Sequence, residues 1–185
     1  MQYMVDIKTG LIRDAEYRPS PNFDERPAEV QPEVIVIHAI SLPPGEFGGD
    51  AIDRLFTNSL DPEVHPYFRE IDGLKVSAHL LIRRDGSVCQ FVPLHKRAWH
   101  AGVSECEGRD CVNDFSIGIE LEGCDDKPFE PSQYDVLARV SKQLIKAYAG
   151  LTPERVYGHS DIAPGRKTDP GPCFNWDRFR QLLQS

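Results

Sequence analysis

The sequence predicts an α/β (α+β) fold, a mixed central β-sheet flanked by helices. Three observations carry this. Val34-Ile35-Val36-Ile37 is an unbroken β-branched run, the pattern of a strand buried on both faces. Residues 115–122 alternate apolar and polar side chains, the period of a strand. Two stretches, after Pro131 and after Asn175, place apolar residues at helical spacing and are interleaved with the strands.

The elements follow in order. Residues 14–33 are rich in proline and charge and read as an irregular N-terminal arm. The strand over 34–38 ends on His38. Residues 42–49, LPPGEFGG, form a loop, because proline and glycine interrupt both helix and strand. Asp50 is the expected N-cap of a helix carrying Ile52, Leu55, Phe56 and Leu60 inward. Residues 76–82 and 87–92 flank Arg83-Arg84-Asp85-Gly86, and the Asp-Gly pair predicts a β-hairpin. In the alternating strand, Phe115, Ile117, Ile119 and Leu121 share one face. Ser116, Gly118, Glu120 and Glu122 share the other, with Glu122 expected to face solvent. Pro131 opens a helix whose stripe is Tyr134, Leu137, Leu144, Ile145 and Tyr148, and Gly150 is its expected stop. A last helix over 175–183 points Trp176, Phe179 and Leu183 inward. No internal repeat is present, so the chain reads as one domain over 1–185.

Composition narrows the function. With 185 residues, 40% hydrophobic and 27% charged, the chain has the make-up of a soluble globular domain. A net charge of −8 argues against broad nucleic-acid binding but leaves room for an anionic small substrate, because Lys and Arg can gather locally. Residues 1–11 hold neither a basic nor an apolar leader region, so no signal peptide is expected, and no apolar run is long enough to span a membrane. The five cysteines are odd in number and form no CxxC pair. A disulfide framework is therefore not expected, and a reducing cytoplasm is. A monomer is the favoured assembly.

The chemistry gathers in residues 158–171, where His159, Lys167 and Asp169 share a loop rich in Pro and Gly. Of six histidines, His38 and His159 stand out, each at the end of an extended segment. Two histidines and a carboxylate would leave an open position on tetrahedral zinc, the catalytic pattern. Spacing alone also permits an imidazole capping a strand and an aspartate capping a turn. Glu120 stands above Gly118 and Ser116, small residues that leave space for a water; it reads equally as a solvent-facing strand residue. Lys167 reads as a cation aimed at the same centre or as a solvated loop residue. Trp99-His100-Ala101-Gly102 reads as a stacking edge for a sugar or peptide, or as a packed loop anchor.

The ordered motifs carry a resemblance that spacing alone does not. They are Val36-Ile37-His38 with the loop that follows to Gly49, Val76-Ser77-Ala78-His79, residues 97–104 (RAWHAGVS), residues 113–123 (NDFSIGIELEG), and residues 158–171 (GHSDIAPGRKTDPG). In this sequence the chain resembles the AmpD-type anhydro-N-acetylmuramoyl-L-alanine amidases, zinc enzymes of peptidoglycan recycling within the wider amidase/peptidoglycan-recognition fold. The resemblance spans nearly the whole chain. It implies that His38, His159 and Asp169 bind Zn²⁺, that Glu120 is the acid/base, and that Lys167 stabilises the transition state. Lys75 and Arg166 fall where basic residues face the anionic muramyl-peptide, and Trp99 and Ala163 are further pocket residues. The implied reaction is hydrolysis of the lactyl–L-Ala amide of anhydro-muramyl-peptides in the cytoplasm. Other readings within the fold are a periplasmic or phage-type amidase on intact peptidoglycan, and a non-catalytic muropeptide-binding module. The sequence departs from the resemblance at Ala39, where that branch usually has Asn, and at Cys111-Val112, where it often carries Arg.

Overall fold

The computed structural model describes residues 2–185. Six strands build the main sheet: β1 (Glu16–Tyr17), β2 (Val34–Ile40), β3 (Leu80–Ile82), β4 (Val88–Gln90), β5 (Ser116–Glu122) and β6 (Val156–Gly158). Their order across the sheet is β6-β2-β5-β3-β4-β1. All neighbours run parallel except the β3–β4 hairpin, so the sheet is mixed, as predicted. The hairpin turn holds Gly86 at φ +85°, the left-handed conformation that the Asp-Gly signal anticipates.

Five helices complete the frame: α1 (Ala51–Phe56), α2 (Pro66–Glu70), α3 (Pro131–Ala147), α4 (His159–Ile162) and α5 (Trp176–Gln184). The apolar face of β2 and β5, with Ile35, Ile37, Ile117, Ile119 and Leu121, packs on Leu137, Val140 and Leu144 of α3 and on Phe179 and Leu183 of α5. Gln133, fully buried, ties α3 to the sheet by donating to the carbonyls of Glu122 and Ile82 at 3.0 and 3.3 Å. A second cluster joins Ile52, Leu55 and Phe56 of α1 to Phe68, Leu81 and Phe91. Asn175 caps α5, its side chain accepting from the Arg178 amide at 2.9 Å.

The structure departs from the sequence reading in several places. The arm over 14–33 carries two short strands; Glu16–Tyr17 closes one sheet edge and Phe23–Asp24 pairs with Arg97–Ala98. Arg26 also anchors this arm in the core, donating to the carbonyls of Asn113, Asp114, Leu94 and Ser116. Strand β2 continues two residues past His38, because its pairing with β5 runs on to Ile40. Asp50 precedes α1 without a side-chain cap; its carboxylate instead meets Arg54 at 2.8 Å. Helix α3 ends at Ala147, where Tyr148 turns extended, before Gly150 is reached. Phe115 does not share a face with Ile117. It lies before β5 at the end of a 3₁₀ turn (Val112–Asp114) and turns to the opposite side, among Val34, Val36 and Ile162.

Phe179 is fully buried where α5 meets α3 and the sheet. Truncating it leaves a cavity that the surrounding aromatics fill only in part. Phe179→Ala is expected to cost about 3–5 kcal/mol of folding stability in urea unfolding; a loss below about 1 kcal/mol would show that α5 does not anchor this core.

Candidate active site

Strand register brings distant residues together. In the parallel β2–β5 pair, Glu120 stands opposite His38. On the other side of β2, Gly158 stands opposite Ile37, so His159, the next residue, emerges beside His38. Residues 159–162 form the single turn α4 where a loop was expected; the Asp161 carboxylate accepts from the Gly158 amide at 2.7 Å and closes that turn. The chain then loops back, and the Ser160 amide donates to the Asp169 carbonyl at 2.9 Å, which sets Asp169 against His159.

The result is a convergence of three ligating side chains. His38 Nδ1 lies 2.9 Å from His159 Nδ1, and Asp169 Oδ2 lies 3.3 and 3.1 Å from those two atoms. Zinc bonds of about 2.0–2.1 Å in a tetrahedron place donor atoms about 3.3 Å apart, so this set has the spacing of a zinc face. Donor chemistry agrees. His159 Nε2 faces the carbonyl of Ala101 at 3.1 Å, a pure acceptor, which puts the proton on Nε2 and a lone pair on Nδ1. That lone pair meets a carboxylate oxygen and a second imidazole nitrogen, and such atoms lie this close only with a proton or a metal ion between them. Burial pushes the His38 imidazole down to about 4, so it stays neutral at pH 7. Burial works against the charge of Asp169 as well, yet its contacts with the two imidazoles hold its carboxyl well below the usual carboxylate range. Two imidazoles and one carboxylate are a donor set that a divalent zinc ion takes.

Glu120 is almost fully enclosed, and its Oε2 has no hydrogen-bond partner. Burial, then the Asp169 charge, pushes its carboxyl well above the ordinary range, while Lys167 pulls it the other way. His38, Glu120, His159, Lys167 and Asp169 line one cleft of about 470 Å³, a volume suited to a small ligand.

The remaining sequence candidates separate. Trp99 and Arg166 line the same cleft, and so does Ala39. One nitrogen of the Arg166 guanidinium donates to the carbonyls of Ala101 and Val103, both at 2.6 Å, which makes the side chain a brace between two loops. Ala163 is buried and outside the cleft lining; its carbonyl accepts the amides of Arg166 and Lys167 at 3.1 Å and shapes the turn that carries them. Lys75 is exposed and lines a neighbouring shallow depression with Leu74 and Asp72. Cys111 is exposed and does not line the cleft.

Two expectations about β5 change. Gly118 does not leave room for water: the His100 ring lies over it, and a Cβ there would come 2.5 Å from His100 Cγ. Glu122 does not face solvent. It is buried and accepts from the amides of Gly48 at 2.6 Å and Arg84 at 3.2 Å. Sequence reasoning also missed His100 and Asn113 as parts of the site. The available signal was Gly118 itself, because a glycine inside a strand often marks close approach by another group.

Residues 28–172 match the family described as N-acetylmuramoyl-L-alanine amidase. The chain is 55% identical over 177 residues to the 1,6-anhydro-N-acetylmuramyl-L-alanine amidase AmpD of Enterobacter cloacae, covering 96% of this chain and 94% of that protein. A crystal structure of a selenomethionine AmpD derivative superposes with a TM-score of 0.94 at 54% identity, over 97% of this chain and 99% of that one. The Escherichia coli amidase AmiD, solved with anhydro-N-acetylmuramic acid-L-Ala-D-γ-Glu-L-Lys, superposes with a TM-score of 0.60 at 31% identity, over 87% of this chain and 65% of that one. The chain belongs to the N-acetylmuramoyl-L-alanine amidase family and is a hydrolase of that class.

Proposed function

We propose that residues 1–185 form one zinc-dependent amidase domain that hydrolyses the amide between the lactyl group of anhydro-N-acetylmuramic acid and the L-Ala of a stem peptide. The observation that carries this reading is the meeting of His38, His159 and Asp169 beside the unpartnered carboxylate of Glu120. The substrate class is supported by the extended likeness to AmpD. The five thiols, none of them in a disulfide, support a reducing cytoplasm, and no helix among the described residues is long and apolar enough to cross a membrane. A monomer is the proposed working form.

His38, His159 and Asp169 would hold the metal, which would supply Lewis acidity toward the attacking water and the amide carbonyl. Glu120 takes a proton from the attacking water as its oxygen bonds to the carbonyl carbon. The same carboxyl returns that proton to the L-Ala nitrogen as the C–N bond breaks, so the amine leaves neutral. A raised pKa suits a group that must both accept and give a proton near neutrality. Lys167 faces the negative charge on the former carbonyl oxygen; a preorganised donor of that kind is worth on the order of 10²–10³ in rate. Arg166 and Trp99 form cleft wall, and Ala163 sets the turn that presents Lys167. Lys75, just outside the cleft, contributes charge at its approach.

The decisive assay follows release of free tripeptide from anhydromuramyl-tripeptide by mass spectrometry. Release is expected with zinc, abolished by chelation and restored by zinc addition; release that survives complete metal removal overturns the reading.

His38→Ala and Asp169→Ala are expected to lose stoichiometric zinc. Elemental analysis giving one zinc per chain in both would remove these residues as ligands.

Glu120→Ala is expected to keep its zinc and lose roughly 10²–10⁴ in kcat. Turnover near that of the unsubstituted protein would exclude Glu120 from proton transfer.

A further inference from the structure

One short segment touches both imidazoles of the proposed metal site. His100 Nδ1 lies 2.9 Å from His38 Nε2, and His100 Nε2 lies 3.0 Å from Ser116 Oγ. The next residue, Ala101, offers its carbonyl to His159 Nε2 at 3.1 Å. The amides of His100 and Ala101 both donate to a single atom, Asn113 Oδ1, at 3.2 and 2.8 Å. Asn113 is itself buried, in the 3₁₀ turn before β5. The His100 ring lies over Gly118 and is edge-on to His38 with centroids 4.9 Å apart.

We propose that Asn113 clamps the His100-Ala101 segment so that His100 and the Ala101 carbonyl orient the imidazoles of His38 and His159, making Asn113, His100 and Ser116 positioning residues for the amidase. The inference rests on the metal reading above. With Nδ1 of His38 turned to a metal, its proton sits on Nε2 and is donated to His100 Nδ1. His100 then carries its own proton on Nε2 and donates it to Ser116 Oγ, which as a hydroxyl can accept. The Ala101 carbonyl fixes His159 in the same tautomer. Both rings therefore present a lone pair to one point, and neither can rotate without breaking a buried hydrogen bond. Partners of this kind behind metal-bound histidines typically change metal affinity 10–100-fold. Asn113 differs from an ordinary loop residue in that one oxygen serves both ligands at once.

The test uses the full chain, with zinc affinity from chelator competition and the visible absorption of the cobalt(II)-substituted protein. Asn113→Ala removes the shared acceptor and is expected to weaken zinc 10–100-fold and shift the cobalt bands. Asn113→Asp keeps an oxygen in place and is expected to hold zinc as the unsubstituted protein does. Ser116→Ala removes one oxygen from the buried first residue of β5 with little change of shape. It is expected to weaken zinc by about tenfold, the low end of that range. Unchanged affinity and unchanged cobalt spectra in Asn113→Ala and Ser116→Ala overturn the proposal. Should Asn113→Ala not fold, Ser116→Ala decides between the same two results. An unsubstituted protein that binds no zinc is a different result and overturns the metal reading itself.

Discussion

The parallel pairing of β2 with β5 is the constraint on which the site depends. Seven consecutive residues pair in one register, from Ser116 with Val34 to Glu122 with Ile40. A slip of one residue would turn Glu120 to the face that packs on α3 and bring Ile119 to the cleft. The apolar half of each strand forbids that slip. Ile117, Ile119 and Leu121 are fully buried on the helix side with Ile35 and Ile37, so a slip of β5 would take all three out of that core and turn Ser116, Gly118, Glu120 and Glu122 against α3 in their place. The hydrophobic core thus fixes the geometry of the candidate site from the opposite side of the same strands. The third pairing, β6 on β2, extends this logic to His159, which is 121 residues from His38 in sequence.

The frame was legible because its signals are local and periodic. Val34-Ile35-Val36-Ile37, the Asp-Gly turn and the stripes of α3 and α5 each announce themselves within one short stretch of chain. What escaped was long-range. Glu16–Tyr17 became strand by pairing with Cys89 and Gln90, partners no local pattern names. Phe115 broke the alternation because the 3₁₀ turn before β5 rotates it away. Glu122 looked solvent-facing since nothing in its neighbourhood reveals that the 42–49 loop folds over it. At the candidate site, the residues of the proposed chemistry stand out in the sequence, while those proposed to orient them do not. Asn113 and Ser116 are ordinary polar residues until the fold places His100 between them.

Gly118 shows how one position can mislead and still inform. A missing side chain on the cleft face was read as room for water. The missing Cβ is in fact what admits an imidazole against the sheet, close enough to contact His38. Space above a strand glycine is rarely left empty inside a domain, because interiors are close-packed. The useful question for such a glycine is which side chain comes to fill it.

Glu120 and Glu122 lie two residues apart on one face of one strand, and both are buried. Their surroundings divide them. Glu122 has both oxygens occupied: backbone amides of Gly48 and Arg84 donate to them, and the Arg83 guanidinium lies 3.5 Å away. A carboxylate so held serves as a post that pins the 42–49 loop above the cleft. Glu120 has an oxygen with no partner and a second carboxylate, Asp169, acting on it through space. Leaving a buried carboxylate oxygen unpaired costs on the order of 1–3 kcal/mol or more. The same strand face thus holds one glutamate with both oxygens paired and one with an oxygen left open. In the proposed mechanism the unsatisfied oxygen is where the attacking water would bind, and this contrast in surroundings is what favours Glu120 over Glu122 as the proposed proton carrier.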